Sequence, residues 1–276
     1  MPHFSQEESN VARHYNERTF DAERVRLPQD CPVELGVTLR WLGRVAHAGD
    51  VVVEIGVGGA HYTEFLARHG CRLQAVDISE RLLDAAIDKL RRAGLDGCIE
   101  GRHHNSGANL EDLPSATADL VLLMGPLYHL QSHADRQRSV QEAARVLKPG
   151  GTLFAAGINR LSYLRDLLRL NFGPVSAPRV AFHQQYLRDG NLDPEHAPPI
   201  GYAHLTTAAE FHALFEGQFE TTALVGVESF TSAWQDIWGA LPPFEREHWL
   251  DLVEETGQTT EGLGQSDHFL YVGRKR

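Results

Sequence analysis

The stretch VVVEIGVGGAHY, residues 51–62, decides the fold of this chain of 276 residues. Val51 to Ile55 is short and apolar enough to read as a buried strand. Gly56, Gly58 and Gly59 then turn the chain, and a helix follows from about His61 to His69, ended by Gly70. Strand, glycine turn and helix in that order open an α/β unit whose backbone can approach a ligand with no Cβ in the way.

The same alternation continues outward. A second strand, Arg72 to Val76, ends at Asp77. Ser79 is placed to cap a helix with Leu82, Leu83, Ala86, Ile87 and Leu90 on one face, closed by Gly94. Further strands are expected near Cys98 to Gly101, over Asp119 to Met124 with a stop at Gly125-Pro126, and over Thr152 to Ala156. Ser132 and Asp135 have the spacing of a capping pair before a helix bearing Val140, Ala143, Ala144 and Leu147, and Thr207 with Glu210 repeats that spacing. Apolar stretches at Thr222 to Val227 and His268 to Val272 close an α/β pattern of a mostly parallel sheet with helices on both faces.

Three regions follow. Residues 1–49 read as a helical N-terminal cap, with Val37, Leu39, Leu42 and Val45 available to pack and Tyr15 and Phe20 further upstream. Residues 50–157 and 206–276 form the ligand-binding domain. Residues 158–205 break the alternation: Leu161, Leu164 and Leu168 suggest an amphipathic helix, and five of the 13 prolines fall between Pro174 and Pro199, a lid or substrate-cap insertion.

Composition sets the function classes. At 42% hydrophobic and 23% charged residues the chain can bury a core, and a net charge of −11 disfavours a phosphate backbone as partner. Three widely spaced cysteines give neither a disulfide framework nor a thiolate metal site, which fits a reducing cytoplasm. No apolar run approaches the ~18 residues of a membrane span, and no leader pattern opens the chain.

The glycine turn disfavours two ligands. A dinucleotide fingerprint needs a third glycine where His61 stands, and a phosphate-binding loop needs a Lys-Ser or Lys-Thr that is absent. A nucleoside without phosphates fits better. Asp77, twenty-one positions after Gly56, can accept from both ribose hydroxyls, and Glu54 can meet a positively charged group.

Glu54-x-Gly-x-Gly, Asp77 after the second strand, Asp119 opening the fourth and Leu147-Lys-Pro-Gly-Gly before the fifth together resemble a class I S-adenosylmethionine-dependent methyltransferase, over roughly Asp50 to Ala156. Ala60 stands where the family carries its third glycine. The resemblance implies a Rossmann-like seven-stranded sheet and S-adenosylmethionine as cofactor, with S-adenosylhomocysteine as product. It implies Glu54, Gly56 and Gly58 beside the methionine and ribose, Asp77 on the ribose, Ile78 against adenine, and Asn109 with Leu110 as the adenine-contacting pair. Tyr62 is expected over the cofactor's carboxylate end, and Met124 and Gly125 at the edge where donor and acceptor meet.

The run Met124-Gly-Pro-Leu-Tyr-His-Leu130 bears on the acceptor. Gly125 cannot accept from an exocyclic amine, as the Asp or Asn of base-modifying enzymes does, and Met124-Gly125 offers magnesium no acidic ligand. His129 and His133 lack the Glu of a zinc-protease motif, so no metal is expected. The Gly-Pro-Leu-Tyr-His-Leu string resembles a bacterial group of small-molecule methyltransferases. Tyr128 and His129 are the catalytic candidates, His129 as a base because free imidazole titrates near ~6.5, with a buried hydrogen-bonded aromatic pair as the bland reading. Tyr15, Arg160, Tyr202 and His204 are candidates for the substrate pocket. The expected activity is metal-independent methyl transfer to an oxygen or nitrogen of a small molecule, without nucleic acid or membrane. A non-catalytic cofactor-binding module, or methylation of a protein or lipid, are the alternatives.

Overall fold

The computed structural model describes residues 4–170, 176–197 and 200–276. Helix α1 (Gln6–Arg13) begins in a capping box between Ser5 and Glu8 and runs through a π-helical turn, His14–Arg18, into α2 (Phe20–Asp30) and α3 (Pro32–Val45). The α/β body then follows as β1 (Val51–Ile55), α4 (His61–Arg68), β2 (Arg72–Asp77), α5 (Glu80–Arg92), β3 (Ile99–His104), β4 (Ala118–Leu123), the short α6 (Pro126–His129), α7 (His133–Val146) and β5 (Leu147–Ile158). Helices α8 (Arg160–Leu170) and α9 (Ala177–Asp189) and the two-residue strands β6 (Asn191–Leu192) and β7 (Ala203–His204) make the insertion. Then come α10 (Ala208–Ala213), β8 (Phe219–Gly226), a 3-10 segment over Ser229–Ala240, α11 (Pro243–Gly257), α12 (Thr260–Gln265) and β9 (His268–Lys275).

Seven strands form one sheet in the order β3-β2-β1-β4-β5-β9-β8, and only β9 runs against its neighbours. The register sets Glu54 opposite Ala75 on one side and Leu122 on the other. Apolar residues on the two faces of the sheet feed two cores. One holds Val52, Leu120, Leu122 and Phe154 with α3, α4 and α11. The other holds Val53, Val121, Leu123 and Leu153 with α7 and α10.

Val33, Val37 and Leu42 of α3 are fully buried in the first core. Two expectations change. Strand β3 reaches His104, beyond Gly101, because an edge strand pairs on one side only and its polar side chains hide the apolar signal; His103 and His104 register with Val76 and Asp77. Ser132 stands at the N-cap of α7, but its hydroxyl accepts no backbone bond, and Asp135 pairs with Arg138 instead.

The insertion has a small core of its own, built on Ile158, Tyr163, Tyr186, Leu192, Ala203 and Leu205. Pro174, Pro198 and Pro199 of the lid expectation, and Met1 to His3 of the cap, lie outside the described residues. Among the described residues no helix is long and apolar enough to cross a membrane.

Candidate functional site

Strand β1 lies between β2 and β4, so the segments leaving the carboxyl ends of β1 and β4 diverge and leave a crevice. A pocket opens there. Gly56 and Gly58 line it at positive φ, +86° and +48°. A Cβ on Gly56 would come within 3.3 Å of Pro126 Cδ, and one on Gly58 within 3.1 Å of Glu23 Oε1, so both the turn and the close approach require glycine.

Asp77, at the end of β2, is buried on the pocket wall beside Ile78. Its carboxylate accepts from Ser79 N at 2.8 Å and Gly58 N at 3.3 Å. Burial pushes its carboxyl up to about 6, against the pull of those two N–H groups. Met124, Gly125, Pro126, Tyr128, His129 and Leu130 form the opposite wall. The Tyr128 hydroxyl donates to Met124 O at 3.2 Å.

The N-terminal helices supply Glu8, Val11, Tyr15 and Glu23 across the pocket. Tyr15 meets His129, 114 positions away: its hydroxyl lies 2.6 Å from His129 Nε2, while His129 Nδ1 lies 3.1 Å from Tyr202 O. A carbonyl only accepts, so Nδ1 carries the proton, and Nε2 keeps its lone pair and accepts from Tyr15. Burial holds this imidazole down at about 4, neutral at physiological pH, and raises the Tyr15 phenol well above its ordinary range.

Glu8, Glu23 and Asp77 put three carboxyl groups on the lining, and among the described residues no lysine or arginine lines it. Such a pocket suits a cationic ligand and repels a pyrophosphate. Neither end of β4 nor the glycine turn adds a metal-ligating cluster there. Among the described residues the one such grouping, Glu34, Glu228 and His268, is away from the pocket lining, and Glu228 is tied into it by His268 Nδ1 at 2.5 Å.

Several expected residues are placed elsewhere. Glu54 is buried in β1 off the lining, neither of its oxygens has a hydrogen-bond partner, and burial pushes its carboxyl up to about 8. Tyr62 packs into the first core beside α3, its hydroxyl likewise without a partner. Asn109 is exposed and caps its own turn by accepting from Glu111 N at 3.1 Å, while Leu110 is buried in the second core. Asn105, Ser106 and Gly107 hold the wall in their place, because β3 runs three residues longer and carries the loop's first residues to the pocket. Tyr202 contributes its carbonyl to His129, and Arg160 and His204 line a second cavity behind α6.

Sequence reasoning missed Glu8, Glu23 and Ser106. The Ser5–Glu8 capping box was a readable signal for the first, and Glu8 also takes a short hydrogen bond from Ser106 Oγ. No local signal marks the other two.

Comparison with known proteins agrees with this geometry. The family model described as "Methyltransferase domain" matches residues 53–155. A ubiquinone biosynthesis O-methyltransferase of Methylococcus capsulatus is 31% identical over 192 residues, covering 65% of this chain and 74% of the relative. Among solved structures, a SAM-dependent methyltransferase of Methanosarcina mazei superposes with a TM-score of 0.56 at 19% identity, over 85% of this chain and 96% of that one. Geranyl diphosphate C-methyltransferase from Streptomyces coelicolor, solved with S-adenosyl-L-homocysteine, gives 0.57 at 12% identity over 99% of each chain. The chain belongs to the S-adenosylmethionine-dependent methyltransferases. It is an enzyme of that class, with S-adenosyl-L-methionine as its cofactor.

Proposed function

We propose that this methyltransferase moves a methyl group to an oxygen or nitrogen of a small molecule, with His129 as the proton acceptor. The observation that carries the reading is the Tyr15–His129–Tyr202 chain, in which Nδ1 is tied to Tyr202 O and Nε2, beside Tyr15 on the pocket lining, is the basic nitrogen. The relative named as an O-methyltransferase favours oxygen, and the net charge of −11 favours a small molecule over a nucleic acid. Three free cysteines and the want of a spanning helix among the described residues support a cytoplasmic setting.

S-adenosylmethionine, when bound, supplies a methyl group on a sulfonium, open to in-line displacement. Asp77 is read as holding the ribose hydroxyls, Ile78 as flanking adenine, and Gly56, Gly58, Met124 and Gly125 as giving room for the reacting end. Glu8 and Glu23 line the same pocket, and Glu23 pairs with Arg26 at 3.1 Å. Tyr15 donates to His129 Nε2 in the free protein, so an acceptor hydroxyl must take over that bond before His129 can receive its proton. Tyr128, fixed through its hydroxyl to Met124 O, packs edge-on to His129 with ring centroids 4.8 Å apart and holds the imidazole in place. Helices α1 and α2 act as the cap, and the 158–205 insertion closes the acceptor side.

The test is His129→Asn, whose amide can keep the tie to Tyr202 O while Nε2 is lost. Affinity for S-adenosylhomocysteine by calorimetry should stay near the wild-type value, and methyl transfer to a panel of small phenols and amines should fall roughly 100-fold. Unchanged turnover on a panel acceptor rejects His129 as the base.

A further inference from the structure

We propose that the cavity behind α6 is a binding site for a small oxyanion group, a carboxylate or phosphate, anchored by Arg136. This cavity, about 840 Å³, is lined by Arg136, Arg160, His133, His204, Asp189 and Glu210 among others, and Tyr128 lines both it and the cofactor pocket.

Arg136 is the unbalanced charge. It lies in the first turn of α7, where the helix dipole already disfavours a cation, and only 8% of it is exposed. Nη1 donates to Leu130 O at 2.7 Å and Gln131 O at 2.8 Å. Among the described residues it pairs with no carboxylate, and its Nε and Nη2 have no protein partner. Arg136 lines the cavity, so an anion there can meet the donors that the two carbonyls leave over.

Of the other charges in the cavity, Arg160 has a carboxylate partner, whereas Asp189 accepts from neutral donors only. Arg160 pairs with Glu210 Oε2 at 2.5 Å and donates to Leu205 O, and Glu210 Oε2 also accepts from Thr207 N. The Asp189 oxygens accept from Gln185 Nε2 and Asn191 N. Burial, and then the Arg136 and Arg160 cations, hold His204 down at about 4, against the pull of Glu210 and Asp189. His133, first residue of α7, brings to the same wall a helix N-terminus that Ser132 leaves uncapped. Two free N–H groups on one planar guanidinium match two oxygens of a carboxylate or phosphate.

Two sources could present such a group: the methyl acceptor itself, an assignment that rests on the function proposed above, or a free anion. The experiment uses the full chain without cofactor, titrated with inorganic phosphate at constant ionic strength and followed by ¹H–¹⁵N spectra. The expected result is saturable shifts centred on Arg136 Nε and the Ala134 and Asp135 amides. Arg136→Gln, which keeps a donor for Leu130 O, should weaken phosphate roughly tenfold and leave S-adenosylhomocysteine affinity unchanged. Linear shifts spread over the surface, or equal phosphate affinity in the folded variant, overturn the proposal. If Arg136→Gln does not fold, the wild-type titration decides alone.

Normal S-adenosylhomocysteine binding without phosphate binding rejects this site and spares the cofactor pocket; the reverse spares this site. Phosphate that raises KM for acidic acceptors at constant kcat assigns the site to the acceptor. Phosphate that binds without such competition assigns it to a free anion.

Discussion

At the scale of single residues, Asp77 carries the sharpest consequence. Its carboxyl is buried and pushed up to about 6, and two backbone N–H groups fix it on the pocket wall. Relative to the unfolded chain, burial favours the protonated form, although the carboxylate predominates above about 6. Its contribution to stability is therefore present below the ordinary carboxylate range and lost as pH rises through about 6. Ribose binding has the opposite sign, because only the carboxylate accepts from both hydroxyls. Affinity for S-adenosylhomocysteine should fall as pH drops below about 6, and Asp77→Asn should cost roughly 1.5–3 kcal/mol and abolish that pH dependence. Calorimetry of both proteins across the range checks this, and a parallel decline in wild type and variant would place the titrating group elsewhere. The placement of Asp77, Gly56 and Gly58 on the pocket wall is legible because it depends on neighbours a few positions away. Asn109 was not, since a loop's register depends on where an edge strand stops. The Tyr15–His129 bond joins positions 114 apart, and no local pattern encodes it.

At the scale of elements, the same three-residue spacing has two outcomes. Thr207 Oγ1 accepts from Glu210 N at 3.2 Å and Glu210 Oε2 accepts from Thr207 N at 3.0 Å, a complete capping box for α10. Ser132 has Asp135 three positions on, but Asp135 Oδ1 takes Arg138 Nη2 at 2.6 Å, and the turn out of α6 leaves the Ser132 hydroxyl without a helix N–H. Thr207→Ala should therefore cost about 1 kcal/mol in urea denaturation, and Ser132→Ala close to nothing. Equal losses would mean that Ser132 caps α7 in solution. Strands β1, β2, β4 and β5 were readable for the opposite reason from β3. Each has a buried apolar stretch, interrupted in β2 by half-buried Gln74, whereas β3 lies at the sheet edge with half-exposed histidines.

At the scale of the whole molecule, the pocket is closed by parts of unequal firmness. The sheet side rests on two apolar cores, while α1 and the π-helical turn touch the body chiefly through polar bonds. Glu7 Oε1 accepts from Gln131 N at 2.6 Å, Asn16 Oδ1 from Ser79 Oγ at 2.7 Å, and Asn16 O from Arg81 at 2.8 Å. Val11 is the one buried apolar residue of α1, and the turn His14–Arg18 has none. Such a segment opens at lower free energy than the strands beneath it, and any ligand that touches both sides biases it shut. Hydrogen exchange should thus show residues 6–18 exchanging well ahead of β1 and β4 in the free protein. S-adenosylhomocysteine should slow them together with 105–107 and 126–130, leaving the distant β8 edge unchanged. Protection confined to the glycine turn and Asp77 would detach the N-terminal helices from cofactor binding and leave Tyr15 as a packing residue only. Protection spreading to residues 6–18 would make closure of this segment part of forming the site, with the Tyr15–His129 bond as its latch.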